Sequence, residues 1–188
     1  ALTGIAAARA AGLAPVKINA VLMRGHNEDE AAGLLDFALG QGCELRFIEQ
    51  MPLGDPAAWR RRDVVTAAEI LERLSARHRL TPAPGDRAAA PAESYLVDGG
   101  PAKVGVIASV TRPFCSSCSR LRLTADGQLR SCLFGEAEWN LRALLRSGAD
   151  DAALARAMVE CVTAKPAGHK IGQPGFSQPA RSMQAIGG

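Results

Sequence analysis

Three of the five cysteines in this chain of 188 residues fall inside one short stretch, "FCSSCSRLRLTADGQLRSC" (residues 114–132). Cys115 and Cys118 are spaced C-x2-C, and Cys132 follows after thirteen further residues. A tetrahedral metal site takes four ligands, so three thiolates leave one position to be filled. One chemistry is a structural zinc site completed by His26, His78 or His169, none of which lies near the cysteines in sequence. A zinc ribbon would also supply a second C-x2-C, where only Cys132 is present. The other chemistry is an iron–sulfur cluster on three thiolates, with one iron open to something other than protein. In either case the three sulfurs are expected to converge. Residues 103–146 carry seven Lys and Arg against three Asp and Glu, so the partner expected beside the cysteines is an anion, a nucleotide or a nucleic acid. Few aromatic residues lie near the cysteines, which counts against stacking on single strands.

What must position these groups is the chain between Cys118 and Cys132. "RLRLT" and "QLRSC" flank Ala125-Asp126-Gly127, which fits a three-residue hairpin loop: a type I turn with Gly127 left-handed as a G1 bulge. That register sets Thr124 opposite Gln128, Leu123 opposite Leu129, Arg122 opposite Arg130 and Arg120 opposite Cys132. Arg120, Arg122, Arg130 and Cys132 then share one face, and Leu121, Leu123 and Leu129 the other. A two-residue Asp-Gly turn would place Cys132 with the leucines. The first register is favoured because it separates the polar and apolar sets, leaving guanidinium forks suited to phosphate beside the metal.

The rest of the chain reads as α/β. "TGIAAARAAG" reads as a short helix ending at Gly12, and "VKINAVLM" (16–23) as a strand. Asn27 and Glu30 have capping-box spacing, opening a helix that stops at Gly42, and "ELRFIEQM" (44–51) is a second strand. Strand, helix, strand is a βαβ unit and predicts a parallel pair. One such unit cannot close a sheet alone, and with Ala rather than Met at its start the chain reads as the tail end of a larger array. Thr66 and Glu69 cap the next helix. Residues 79–93 read as a Pro- and Ala-rich linker. Strand-like segments follow, with turns at Asp98-Gly99-Gly100 and Ala125-Asp126-Gly127. Helices are expected at about 136–147 and 150–162, then an irregular Gly- and Pro-rich tail.

Composition fits a folded chain, with 47% hydrophobic and 22% charged residues but only 4% aromatic, so the core is aliphatic. No apolar run reaches the roughly eighteen residues of a membrane span, and residues 1–14 lack the pattern of a signal peptide. An odd cysteine count without an export signal points to reduced thiols and a cytoplasmic protein.

The segment "FCSSCSRLRLTADGQLRSCLFG" resembles the signature of the GTP 3′,8-cyclases, the molybdenum cofactor biosynthesis proteins A of the radical SAM superfamily. "VKINAVLMRGHNEDE", "LRFIEQMPLG" and the closing "GHKIGQPGFSQPARSMQAIGG" resemble family segments in the same order. The resemblance implies the C-terminal part of an incomplete (β/α)6 TIM-type barrel plus a C-terminal α+β extension carrying a 4Fe–4S cluster. Residues 1–60 would be the last βα units, 61–93 a helix and connection, and 94–188 the cluster- and GTP-binding region. It implies that Cys115, Cys118 and Cys132 hold the cluster, that Lys17, Arg120, Leu121 and Arg122 bind GTP, and that Met51 lies against S-adenosylmethionine. Gly187 and Gly188 would enter the active site. The implied reaction is a radical conversion of GTP to 3′,8-cyclo-7,8-dihydro-GTP, a lyase activity that begins the molybdenum cofactor. The family's C-x3-C-x2-C motif for a second cluster is missing here. The chain therefore matches the substrate half, is not expected to turn over alone, and needs the enzyme's N-terminal half as partner. Neither nucleic acid nor membrane is an expected partner, and a homodimer is allowed. The alternative function is a zinc-ribbon nucleic-acid-binding module.

Other residues divide less sharply. Lys17 and Asn19 alternate with apolar neighbours, so one face of that strand is polar. That suits either ligand contact or solvent, and the resemblance favours Lys17 as a ligand contact. Met51 ends a strand where barrel sites form, and it could equally be packing. Arg46 and Glu49 could line a site or pair structurally. Cys43 and Cys161 read as packed thiols, Arg60-Arg61-Arg62 as a solvated basic stretch, and His78 as a cation at a helix end.

Overall fold

The alternation of strand and helix read in the first third organises an α/β unit in the computed structural model, which describes residues 1–54, 59–85 and 90–186. The chain divides into two units, residues 1–51 with 61–114, and residues 52–60 with 115–188. The first contains α1 (Leu2–Ala10), β1 (Lys17–Val21), α2 (Ala31–Gly40), β2 (Glu44–Ile48), α3 (Ala67–Ser75), β3 (Leu80–Pro82), β4 (Glu93–Val97) and β5 (Lys103–Ile107). Its sheet runs in the order β1-β2-β5-β4-β3. β1 and β2 are parallel, as the βαβ pattern predicts; β5 also runs parallel to β2, and β4 and β3 add antiparallel strands at the far side.

Alternation explains which face is covered. Leu45, Phe47, Val104 and Val106 point to one side and are fully buried with Leu35, Ile70 and Leu74 of α2 and α3. Each such side chain stabilises the fold by about 1.5–3 kcal/mol. α3 starts with a complete capping box: Glu69 N donates to Thr66 Oγ1 at 3.3 Å, and Thr66 N donates to Glu69 Oε2 at 2.9 Å. Arg24 Nη2 meets the same Glu69 at 2.6 Å. These bonds hold the Glu69 carboxyl down at about 2, the Arg24 bond contributing most.

The expected box at Asn27 does not form. Asn27 Oδ1 accepts from Met23 N at 2.7 Å and its amide donates to Val21 O at 3.1 Å. With that side chain turned back toward β1, a 3-10 turn (Glu28–Glu30) precedes α2 instead. The linker reading also changes, because β3 pairs with β4 there. Pro82 is tolerated because β3 is an edge strand. The sequence reading grouped residues 94–188 together, whereas β4 and β5 belong to the first sheet. "VGVI" of β5 is buried on both faces, which suits a central strand.

Glu49, left open between lining a site and pairing, is structural. It is 1% exposed and accepts from Ala67 N at 2.7 Å, Val110 N at 2.7 Å, Thr111 N at 2.8 Å and the Thr111 hydroxyl. One carboxyl thus joins the start of α3 to the chain after β5. His78 is not merely a cation at a helix end: its ring nitrogens meet Asp36 Oδ1 and Asp98 Oδ2, each at 2.9 Å.

The second unit holds β6 (Arg122–Leu123), β7 (Gln128–Arg130), β8 (Trp139–Asn140), α4 (Leu141–Arg146) and α5 (Asp151–Thr163). The three strands form an antiparallel sheet with β7 in the middle. Leu129, Leu141, Ala157 and Cys161 form its small core. α4 starts later than the expected 136 because Trp139 and Asn140 pair with β7, and Asn140 Oδ1 then caps the helix by accepting from Ala143 N at 2.8 Å. Asp150 caps α5 in the same way at 2.8 Å.

Candidate functional site

The hairpin between the cysteines has the register its turn predicts. Arg122 pairs with Arg130 and Leu123 with Leu129. Thr124 N donates to Gln128 O at 2.9 Å, Gly127 N donates to Thr124 O at 2.9 Å, and Gly127 has φ +80°. Gly127 is required twice over, since a Cβ there would also stand 2.5 Å from Arg142 Cβ. Pairing stops at Arg122, so Arg120 and Cys132 are not a ladder pair as the register implied. The Lys165 ammonium occupies that end of the hairpin, donating to Arg120 O at 2.8 Å and also to Ser131 O.

The expected division into a polar and an apolar face holds only in part. Leu129 is buried, but Leu121 is 41% exposed and Leu123 62% exposed. β7 has the core on one side only, and its neighbour β6 is an edge. Arg130 turns inward rather than toward a ligand. It is 2% exposed, with Nη1 donating to Glu138 Oε1 at 2.7 Å and Nη2 to Gly135 O. Its Nε has no hydrogen-bond partner among the described residues.

Cys115 opens a 3-10 turn (Cys115–Ser117), closed by Cys118 N donating to Cys115 O at 3.1 Å. All three clustered thiols are half-buried and unpaired by disulfides. Burial pushes the Cys118 thiol up. The backbone N–H and guanidinium of Arg120, with the charges of Arg120 and Lys165, outweigh that and bring it below its ordinary value. Arg122 is held below the ordinary arginine value by burial, then by Arg120 and Arg130, against the pull of Cys118 and Cys132. Arg120 is therefore beside the Cys118 thiol, and the charge of Arg122 is felt by Cys118 and Cys132.

Gly168 packs against Cys115, where a Cβ would lie 3.3 Å from Cys115 Cβ and 3.8 Å from its sulfur. The same glycine lines a cavity of about 240 Å³ with Cys132, Phe134, His169 and Phe176. Phe134 meets His169 edge-on at 5.2 Å and Phe176 at 6.1 Å. Aromatic rings thus do lie beside Cys132, contrary to the sequence reading, because Phe176 and His169 arrive from the distant tail.

Among the described residues, no three His, Cys, Asp or Glu side chains are grouped to hold one metal ion. The expected convergence of the three sulfurs is not seen. Donor chemistry fits an iron–sulfur cluster: three thiols are present, and the Cys118 sulfur, favoured as a thiolate, sits beside the Arg120 guanidinium and within the field of Lys165, charges that offset an anionic cluster. Cys43 and Cys161 are buried, as packed thiols should be, and burial raises the Cys161 thiol against a bond to Ser131 and the charge of Lys165.

The tail is tied to the hairpin. Arg181 forks onto Asp126 (3.2 and 2.9 Å) and onto Glu138 (2.9 and 2.7 Å). The Arg181 bond, and then one from Thr124, hold the Asp126 carboxyl at about 2. Met183 N donates to Leu53 O at 3.4 Å and Ile186 is buried. Gly187 and Gly188, the predicted active-site tail, lie outside the described residues.

In the first unit, Lys17 is opposite Glu44, with Nζ 3.8 Å from Glu44 Oε2, and Arg46 Nε donates to Glu44 Oε1 at 3.1 Å. Lys17, Glu44 and Arg46 thus form a half-exposed polar row on the sheet face opposite the helices. Met51 is half-buried beyond β2. Sequence reasoning missed Lys165 and Arg181, and named His169 only as a candidate zinc ligand. No local spacing marks them, since their partners are 34 to 55 residues away for Lys165 and Arg181.

An α/β unit followed by a small unit bearing C-x2-C-x13-C and basic residues is the arrangement of a molybdenum-cofactor synthesis protein. A family model described as Molybdenum Cofactor Synthesis C matches residues 43–171, and the chain belongs to that family. It is 57% identical over 189 residues to the "GTP 3',8-cyclase" of Streptomyces coelicolor, covering 100% of this chain and 55% of that protein. It is 52% identical over 191 residues to the "GTP 3',8-cyclase 2" of Mycobacterium tuberculosis H37Rv, covering 100% of this chain and 53% of that protein. The chain spans about half the length of the curated relatives it matches. No described helix is long and apolar enough to cross a membrane.

Proposed function

We propose that this chain is the C-terminal, substrate-binding part of a GTP 3′,8-cyclase, a cytoplasmic radical SAM lyase of molybdenum cofactor biosynthesis. The observation that carries the reading is the Arg120 guanidinium bonded to the Cys118 thiol, with the Arg122 charge within the field of Cys118 and Cys132. Family membership and the names of the relatives support it. Cys115, Cys118 and Cys132 would hold a 4Fe–4S cluster, which when bound supplies an open iron to ligate the guanine base. The chain's own residues do the binding and orienting. Arg120 and Arg122, with the backbone of Leu121 between them, grip the anionic part of GTP by charge-assisted hydrogen bonds. Lys17 supplies a further cation, and Met51 meets S-adenosylmethionine. Holding one ribose carbon beside a reactive radical is the main task of such a site. The first sheet would be the closing part of a (β/α)6 barrel, whose earlier strands, second cluster and S-adenosylmethionine site belong to an N-terminal half. The Gly187-Gly188 tail would complete the site.

The test is a titration of GTP, ATP and a short RNA into the full-length, anaerobically reconstituted protein. GTP should bind tightest. Arg120→Ala or Arg122→Ala should weaken it by about ten- to a hundredfold, since each bond to a charged group contributes roughly 1.5–3 kcal/mol, with cluster content unchanged. Arg→Lys should restore only part, because an ammonium lacks the planar fork. Equal binding of all three ligands, insensitive to cluster loss, would sink the reading.

A further inference from the structure

Lys165 lies two residues beyond the end of α5, whose Ala157 and Cys161 are packed in the same core as Leu129 and Leu141. That packing fixes where its side chain starts. The ammonium donates to two backbone carbonyls, Arg120 O at 2.8 Å and Ser131 O. Arg120 is two residues past Cys118, and Ser131 immediately precedes Cys132. The β6–β7 ladder has already ended at Arg122 and Arg130. The cysteine-bearing ends of the two strands are therefore joined by this side chain where backbone pairing no longer joins them.

We infer that Lys165 is a positioning residue for the three-cysteine site, fixing the distance between the segment carrying Cys115 and Cys118 and the segment carrying Cys132. The inference rests on the cluster reading above. A three-thiolate cluster needs its ligands held apart by the protein, because no fourth cysteine helps to define the frame. A glutamine amide is shorter than the lysine side chain and uncharged, so it replaces neither the bridge between the two carbonyls nor the cation beside the cysteines. A cation bonded at the cysteine-bearing ends of the strands favours the reduced state of an anionic cluster held there. Lys165 therefore sets both the spacing of the thiolates and the electrostatics of what they hold.

The experiment compares the full-length protein with Lys165→Met, Lys165→Gln and Lys165→Arg after anaerobic reconstitution. The cluster concerned is identified as the one whose EPR signal is lost in Cys132→Ser. Its iron is challenged with a chelator and its midpoint potential is measured. Lys165→Met should release that iron about ten- to a hundredfold more readily, the usual effect of losing a partner behind a metal ligand, and any cluster it keeps should have a more negative potential. Lys165→Arg should restore retention, while Lys165→Gln should not. If Lys165→Met fails to fold, the Arg and Gln variants carry the comparison alone. Retention and potential equal to wild type in Lys165→Gln overturn the inference, as does loss of iron in Lys165→Arg equal to that in Gln. A wild-type protein with no iron dependent on the three cysteines overturns the cluster reading itself, a result the variants cannot mimic.

Discussion

In the first unit, five strands are backed by Leu35, Leu45, Phe47, Ile70, Leu74, Val104 and Val106, all fully buried. In the second, strands of only two or three residues lean on Leu129, Leu141, Ala157 and Cys161, and much of the remaining order comes from charged side chains. Arg130 binds a carboxylate and a carbonyl a few residues on, and Lys165 and Arg181 reach carbonyls or carboxylates far along the chain. A small apolar core leaves orientation to directional bonds, which suits a region built around a charged group. The comparison separates a scaffold stabilised by burial from a site ordered by hydrogen bonds to ions.

The largest expected break is in the scaffold, at the buried carboxyl of Glu49. Glu49→Ala leaves the N–H groups of Ala67, Val110 and Thr111 without their acceptor, and should cost about 3–5 kcal/mol because each buried orphaned donor is expensive. Hydrogen exchange of the β2 and β5 amides against urea concentration measures it. A loss below about 1 kcal/mol would mean that water replaces the carboxyl and that the first unit does not depend on it.

Acid should loosen both units at carboxyls of opposite structural meaning. Glu69 has a folded value of about 2 against an ordinary 4.5. A depressed carboxyl contributes stability that is complete above its unfolded value and is lost as pH falls toward the folded one. Protection of the α3 amides should therefore fall between pH 4.5 and about 2, by on the order of 1–2 kcal/mol once solvent screening is allowed for. Glu69→Gln should remove that dependence. Asp126, also near 2 in the fold, follows the same sign in the second unit. There the expected event is release of the tail from the hairpin, read as faster exchange at residues 181–186 and abolished in Asp126→Asn. If the tail stays protected down to pH 2, the Arg181 fork is not what holds it.

The smallest effect sharpens the correction to the hairpin faces. Leu123→Thr should change stability by less than about 0.5 kcal/mol, as exposed substitutions do. A larger loss in thermal unfolding would show that Leu123 is covered in the intact protein.

How much was legible depended on distance along the chain. The Ala125-Asp126-Gly127 turn, the Thr66 and Glu69 box, and the parallel β1–β2 pair were readable because each is a matter of local spacing. The Asn27 box failed because a competing local partner, the Met23 N–H, took the side chain. β3 was hidden in a segment whose prolines suggested a linker, since an edge strand tolerates proline and leaves little pattern.

The sequence by itself determined the chemistry available: three thiols at a set spacing, arginines between them, and a turn that sets Arg122 against Arg130. It also determined the alternation that covers one sheet face with helices. Only the tertiary structure decided which charges point where. Arg130 turned inward to Glu138 while Arg120 stayed on Cys118, Glu49 became a buried acceptor, and Lys165 and Arg181 reached the hairpin from the tail. Local periodicity specifies which face a side chain leaves from. For Glu49, Lys165 and Arg181, what waits to receive it comes from segments tens of residues away, and becomes known only once the chain has folded.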